Sequence, residues 1–121
     1  MTDTPTADQP SPLSIDHTAV GDIRVLTLRG EIDHAVRNEL TDALLSYDGA
    51  VPPKTVMDLS GVTFMDSSGI NVLIAAHQSM SDAQGWLRIA GPQGSVLRTL
   101  QLVGLDQVIA CHPTVEQALP A

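Results

Sequence analysis

Aromatic side chains are almost missing from this chain, with one Phe, one Trp and one Tyr in 121 residues. Any core must therefore be aliphatic, built from Leu, Val, Ile, Ala and Met. Cysteine is equally scarce: Cys111 stands alone, which excludes an intramolecular disulfide and a cysteine metal cage. A small apolar residue in a late strand is a simpler reading of Cys111 than a reactive thiol. Cations are few, six Lys plus Arg against fourteen Asp plus Glu, and they form no cluster. Nucleic acids and anionic membrane surfaces both demand a basic footprint, so direct binding to either is disfavoured. No apolar run approaches the roughly 20 residues needed to span a bilayer. The first dozen residues lack the cationic start and apolar middle of a secretory signal, and the protein is expected in the cytoplasm. His17, His34, His77 and His112 lie too far apart for HxH or HExxH spacing, so core or surface histidines are the simpler reading than metal ligands. No Walker loop or Gly-x-Gly-x-x-Gly is present, so no nucleotide chemistry is assigned to this chain. No metal and no cofactor is expected.

What remains is a hydrophobic content of 43% with a formal net charge of −8. A chain of this length buries roughly two-thirds of its unfolded surface, enough for one independent core. Residues 1–12 hold three prolines among Thr, Asp, Gln and Ser, too little apolar surface to offset ordering entropy, and are expected as a disordered tail. Residues 13–121 form the domain. From Leu13 the pattern alternates, with Leu13, Ile15, His17 and Ala19 on one side, as in a half-buried edge strand. Gly21-Asp22 turns the chain into a second strand, Ile23 to Leu28, which makes an antiparallel hairpin. Gly30 to Asp33 reads as a turn and cap before a helix carrying Val36, Leu40, Ala43, Leu44 and Tyr47, ended by Asp48-Gly49. A third strand runs from Lys54 to Leu59. Beyond it, Trp86 to Ala90 reads as a strand, and Gly91-Pro92 opens a helix with Val96, Leu97, Leu100 and Val103 inward, stopped by Gly104. Val108 to Cys111 is a short last strand. Thr114 and Gln117 form a capping-box pattern for a final helix ending near Leu119. Strands alternating with helices after a hairpin imply an α/β fold, a mixed, mostly parallel sheet with helices packed on it.

The stretch that organises the chain is Val62 to Leu73. A loop after the third strand leads to Asp66-Ser67-Ser68-Gly69, which stands just ahead of an apolar run at helical spacing, Ile70, Leu73, Ile74 and His77. Asp and Ser accept the orphan N–H groups of a first helical turn, so Asp66 or Ser67 is the cap. The helix is expected to run to His77 or Met80. Either choice leaves a serine hydroxyl at a loop-to-helix junction, where the helix dipole favours negative charge.

The run Asp58-Leu59-Ser60-Gly61-Val62-Thr63-Phe64-Met65-Asp66-Ser67-Ser68-Gly69 closely resembles the STAS domain of anti-sigma factor antagonists. Leu28-Arg29-Gly30-Glu31-Ile32-Asp33 resembles that family's other signature, and Leu102 to Ile109 fits a third. The similarity runs from about Leu13 to Leu119 with the three signatures in order. The resemblance implies a single STAS-like domain, with a mixed sheet of four to five strands and about four helices. It also implies a role: an anti-sigma factor antagonist that works by partner switching, is not an enzyme and lacks a cofactor. In that scheme the unphosphorylated protein binds an anti-sigma factor that is also a serine kinase. Phosphorylation by that partner breaks the complex, and a PP2C-type phosphatase resets it. A monomer or weak dimer is expected.

On local sequence alone, a helix cap is the simpler reading of Ser67. The resemblance places the phosphorylated serine directly after the motif aspartate, which is Ser67. Ser68 is the neighbouring hydroxyl, with a capping or surface-lining role. Gly69 is expected to keep the surface flat and let a partner backbone approach. Asp66 divides between a cap and a shaper of the kinase contact. Asp33 is a helix cap on local grounds, and the resemblance adds partner binding close to the serine; Glu31 shares its loop. Asn71 departs from the small residue common at its position, and His77 from a frequent basic one. Both lie on the helix expected to face the partner, and so bear on partner identity. The alternative keeps the fold and makes the chain a STAS scaffold or regulatory module for a non-sigma partner. A serine hydrolase is a poor third reading, because the first glycine of Gly-x-Ser-x-Gly is missing and no well-placed His follows.

Overall fold

The computed structural model describes residues 13–47 and 52–120. The expected tail and the Asp48-Gly49 helix stop lie outside them. Two strands, β1 (Leu13–Val20) and β2 (Ile23–Ile32), form the antiparallel hairpin, with Val20 opposite Ile23 across the turn. Then follow α1 (Arg37–Leu45), β3 (Lys54–Met65), α2 (Ser67–Asp82), β4 (Trp86–Ala90), α3 (Gly94–Leu102), β5 (Cys111–His112) and α4 (Val115–Ala118). The sheet order is β1-β2-β3-β4-β5, and every pair after the first is parallel. The mixed, mostly parallel sheet with four helices is therefore the architecture observed.

Two layers cover the sheet unequally. Strand alternation sends Leu26, Leu28, Met57, Leu59, Leu87 and Ile89 to one face, where α1, α2 and α3 bring Leu40, Leu44, Leu73, Met80, Val96 and Leu100 into a single aliphatic core. The opposite face has a smaller cluster, in which Ile23, Val25, Val56 and Ala90 meet Ala118 of α4. Trp86 packs at its margin, and the Arg88 guanidinium lies over the indole at 4.0 Å from the ring centre.

Several boundaries differ from the sequence expectation, each for a physical reason. Gly30 to Ile32 and Ser60 to Met65 are strand rather than loop. The pairing of β2 with β3 slips between Thr27 and Arg29 and again between Gly30 and Glu31, so these glycine signals mark bulges inside a long pair, not its ends. Asp33 caps a 3-10 turn, His34–Val36, and α1 begins only after it. Burial along β1 stops at Ile15: His17 and Ala19 are exposed, because the helical layer reaches only the first residues of this edge strand. In α3 the helix starts at Gly94, not at Gly91-Pro92, and Val103 is exposed at its far end. Gly104, at φ +76°, stops it in the left-handed region, as expected. Val108 lies at the end of a 3-10 turn and is exposed, so β5 is reduced to Cys111–His112. Thr114 accepts the Gln117 N–H at 3.1 Å and starts α4.

Arg24 closes the lower end of the main layer. Its guanidinium donates to the terminal carbonyls of α1, to Ala43 O at 2.9 Å, to Leu44 O, and to Ser46 O at 3.3 Å. It also donates to Oγ1 of Thr55, a fully buried hydroxyl. The last carbonyls of a helix lack intrahelical N–H partners, and the charge sits where the helix dipole is negative; the Ser46 hydroxyl also donates to Ala43 O, at 3.2 Å. Arg24→Met keeps the stem and deletes the donors, and is expected to lower unfolding free energy by about 1–3 kcal/mol in urea denaturation.

Candidate functional site

The adjacent parallel strands β2 and β3 end side by side. Ile32 pairs with Met65, and the Asp66 N–H donates to Ile32 O at 3.1 Å. Each strand is followed by an aspartate in extended backbone that starts a helical turn. The Asp33 carboxylate accepts the Ala35 N–H at 3.0 Å. Oδ1 of Asp66 accepts the N–H groups of Ser68 at 2.8 Å and Gly69 at 3.4 Å. The register thus brings two capping carboxylates to neighbouring positions on the carboxyl edge of the sheet.

This settles which residue caps α2. Asp66 does, and Ser67, the first residue of the helix, is exposed with its hydroxyl free of the capping role. Asp66→Ala is expected to cost about 1 kcal/mol of stability, while Asp66→Asn, which keeps an accepting oxygen, stays near wild type in thermal melts. Ser68 is half-buried. Asn71 is exposed one turn beyond Ser67, and Ile74, expected in the core, is 36% exposed on the same stripe. The buried face of α2 is formed instead by Ile70, Val72, Leu73, Ala76 and Met80. Its end is Asp82, two residues past the expected limit, and His77 is only partly buried.

Gly69 needs a corrected rationale. It is buried, and a Cβ at this position would lie 2.7 Å from Cγ2 of Ile32 and 2.7 Å from Cγ of Met65. Its lack of a side chain lets the start of α2 settle onto the ends of β2 and β3; it does not flatten the outer surface.

Glu31 is exposed and paired in register with Phe64. Phe64, the only Phe of the chain, is 45% exposed beside exposed Thr63. Sequence reasoning missed this residue as a surface feature. The signal was available: Val62 and Met65 take the buried positions on either side of it, leaving Thr63 and Phe64 outside. Ser95, in the first turn of α3, donates to Thr63 O at 3.5 Å and brings that helix to the same edge. Glu31, Thr63, Phe64, Ser67 and Asn71 are thus all exposed around the carboxyl ends of β2 and β3, where the two capping carboxylates also stand. This edge offers a hydroxyl and an exposed ring.

Among the described residues, no three His, Cys, Asp or Glu side chains come together to hold a metal ion. His17 and His34 are exposed, and His112 is half-buried. No helix among them is long and apolar enough to cross a membrane.

Comparison with known proteins gives a consistent picture. A model of the STAS domain matches residues 14–118. The anti-sigma-F factor antagonist RsfB of Mycobacterium tuberculosis is 32% identical over 105 residues, spanning 86% of this chain and 82% of that protein. The anti-sigma-B factor antagonist of Listeria monocytogenes is 30% identical over 80 residues, spanning 66% of this chain and 70% of that one. The crystal structure of an anti-sigma factor antagonist from Mycobacterium paratuberculosis superposes with a TM-score of 0.80 at 27% identity, over 90% of this chain and 92% of that one.

Proposed function

The chain belongs to the STAS domain family, and on that premise we propose that it is an anti-sigma factor antagonist that works by partner switching. In its unphosphorylated form it binds an anti-sigma factor through the surface around Ser67, and the sigma factor is released. The anti-sigma factor, itself a serine kinase, then phosphorylates Ser67 and loses its hold; a PP2C-type phosphatase restores the binding form. The chain is the substrate in this cycle and performs no catalysis.

One observation carries this reading: Ser67 is exposed at the start of α2 while Asp66 fills the cap. A capping serine is tied to its own helix, whereas a serine beside an occupied cap is free to be modified without loosening the fold. The Ser68 and Gly69 N–H groups are held by the Asp66 carboxylate and that of Ile70 by Asp66 O, at 3.2 Å. A phosphate on Ser67 therefore has little of the helix N-terminus left to neutralise it and projects its charge at the partner. Asp33, Glu31, Ser68 and Asn71 complete the proposed contact surface, with Phe64 as its apolar anchor.

The test is capture from a lysate of the native host by wild type, Ser67→Ala and Ser67→Asp, with mass-spectrometric identification. Wild type and Ser67→Ala should retain an ATP-binding anti-sigma factor that Ser67→Asp loses. Equal capture by all three would remove the switch and favour a STAS scaffold for another partner.

A further inference from the structure

The strands β4 and β5 are neighbours, yet they send the chain to opposite faces of the sheet. From β4 the chain enters α3, whose Val96 and Leu100 pack in the main core. From β5 it enters α4, whose Ala118 packs on the other face. In open α/β sheets, the gap between two such diverging connections, beyond the carboxyl ends of the strands, is where ligands bind. In this protein the gap is a cavity of about 380 Å³, within the size range of small-molecule sites.

The chemistry of its walls narrows the occupant. Pro92, Leu97 and Pro113 supply apolar surface, Cys111 and His112 come from β5, and Gln93 precedes α3. The Gly91 N–H donates to His112 O at 2.8 Å, which ties the two connections together and holds the cleft in shape. None of the lining residues is Lys, Arg, Asp or Glu, so a phosphate-bearing ligand would find no fixed side-chain charge to pair with there. The net charge of −8 opposes anions further. Burial, followed by the charge of Asp106, pushes the half-buried Cys111 thiol above its ordinary value.

We propose that the cleft between the β4–α3 and β5–α4 connections binds an uncharged, chiefly apolar small molecule with one hydrogen-bonding group, which Gln93 or His112 engages. This site is distinct from the Ser67 surface, and its existence does not depend on the partner switch.

The test uses the full chain and N-phenyl-1-naphthylamine, an uncharged dye with a single N–H, followed by fluorescence. Saturable binding at one site is expected, and Leu97→Trp, which fills the cavity, should weaken it at least about tenfold. The sulfonated analogue, 8-anilinonaphthalene-1-sulfonate, should bind at least about tenfold more weakly than the neutral dye. In the wild type, saturating neutral dye should slow N-ethylmaleimide modification of Cys111, the only thiol, about fivefold or more. That last measurement decides the matter even if Leu97→Trp does not fold. Absence of saturable binding, or unchanged Cys111 reactivity under saturating dye, would overturn the site. Equal or tighter binding of the sulfonate would overturn the class of ligand.

Discussion

Ser67→Asp is expected to weaken anti-sigma factor binding at least about tenfold, and phosphorylation of Ser67 about a hundredfold or more. At an effective dielectric of about 20, two unit charges 4–8 Å apart interact by about 2–4 kcal/mol, and a phosphate carries more charge than a carboxylate. The side chain sits on the surface, so in the complex the added charge is desolvated against the partner's face. Ser67→Ala should bind as wild type does, because the hydroxyl caps nothing. Stability should separate this account from a structural one. Both substitutions are expected to leave unfolding free energy within about 0.5 kcal/mol of wild type, since an exposed residue outside the cap is being changed. Titration calorimetry against the purified partner, paired with thermal melts, reads both quantities. A large fall in melting temperature for Ser67→Asp would mean that lost binding reports unfolding.

The second large effect is expected two residues further along. Gly69→Ala should destabilise the fold by about 1–2 kcal/mol, and Gly69→Val by about 3 kcal/mol or more. Elsewhere in a helix, replacing glycine by alanine gains up to about 1 kcal/mol. At this position the new Cβ meets Cγ2 of fully buried Ile32 and a mid-chain carbon of buried Met65, both at 2.7 Å. Neither is the free end of a flexible side chain, so α2 or the strand ends must shift. A shift at this point moves the Asp66 cap and Ser67 together, and partner affinity should fall along with stability. Urea denaturation of the two variants reads the energetic part. A stabilised Gly69→Ala would show that the junction has room to spare.

The alternation and capping signals made most of this fold legible before any coordinates. The hairpin, the strand Trp86 to Ala90, the stop at Gly104 and the cap at Thr114 all rest on local chemistry, and all stand where that chemistry puts them. The errors concentrate where tertiary pairing overrides a local signal. Gly30 and the residues after Leu59 read as turn and loop, but each strand holds the other extended through the bulges, and Cγ of Arg29 leaves no space for a side chain at Gly61. Val103 and Ile74 fit a helical stripe by spacing, yet where a stripe ends depends on how far the sheet extends beneath it, which one helix cannot report. At the site, the residues Asp33, Asp66 and Ser67 were legible from capping preference and from resemblance. Which of Asp66 and Ser67 caps α2 was not, because both side chains suit the role and only the backbone geometry chooses between them. The sequence marks Gly69 as small without saying which side the missing Cβ would face, so a surface role and a packing role look alike in it.

Our proposal that Ser67, and not the hydroxyl next to it, accepts the phosphate rests on its exposure beside an occupied cap. It is tested most directly by incubating the protein with its captured anti-sigma factor and ATP, then locating the phosphate by tandem mass spectrometry. A single phosphate on Ser67, absent from Ser67→Ala, is expected. A phosphate on Ser68, or no phosphate transfer to the wild-type protein, would contradict it.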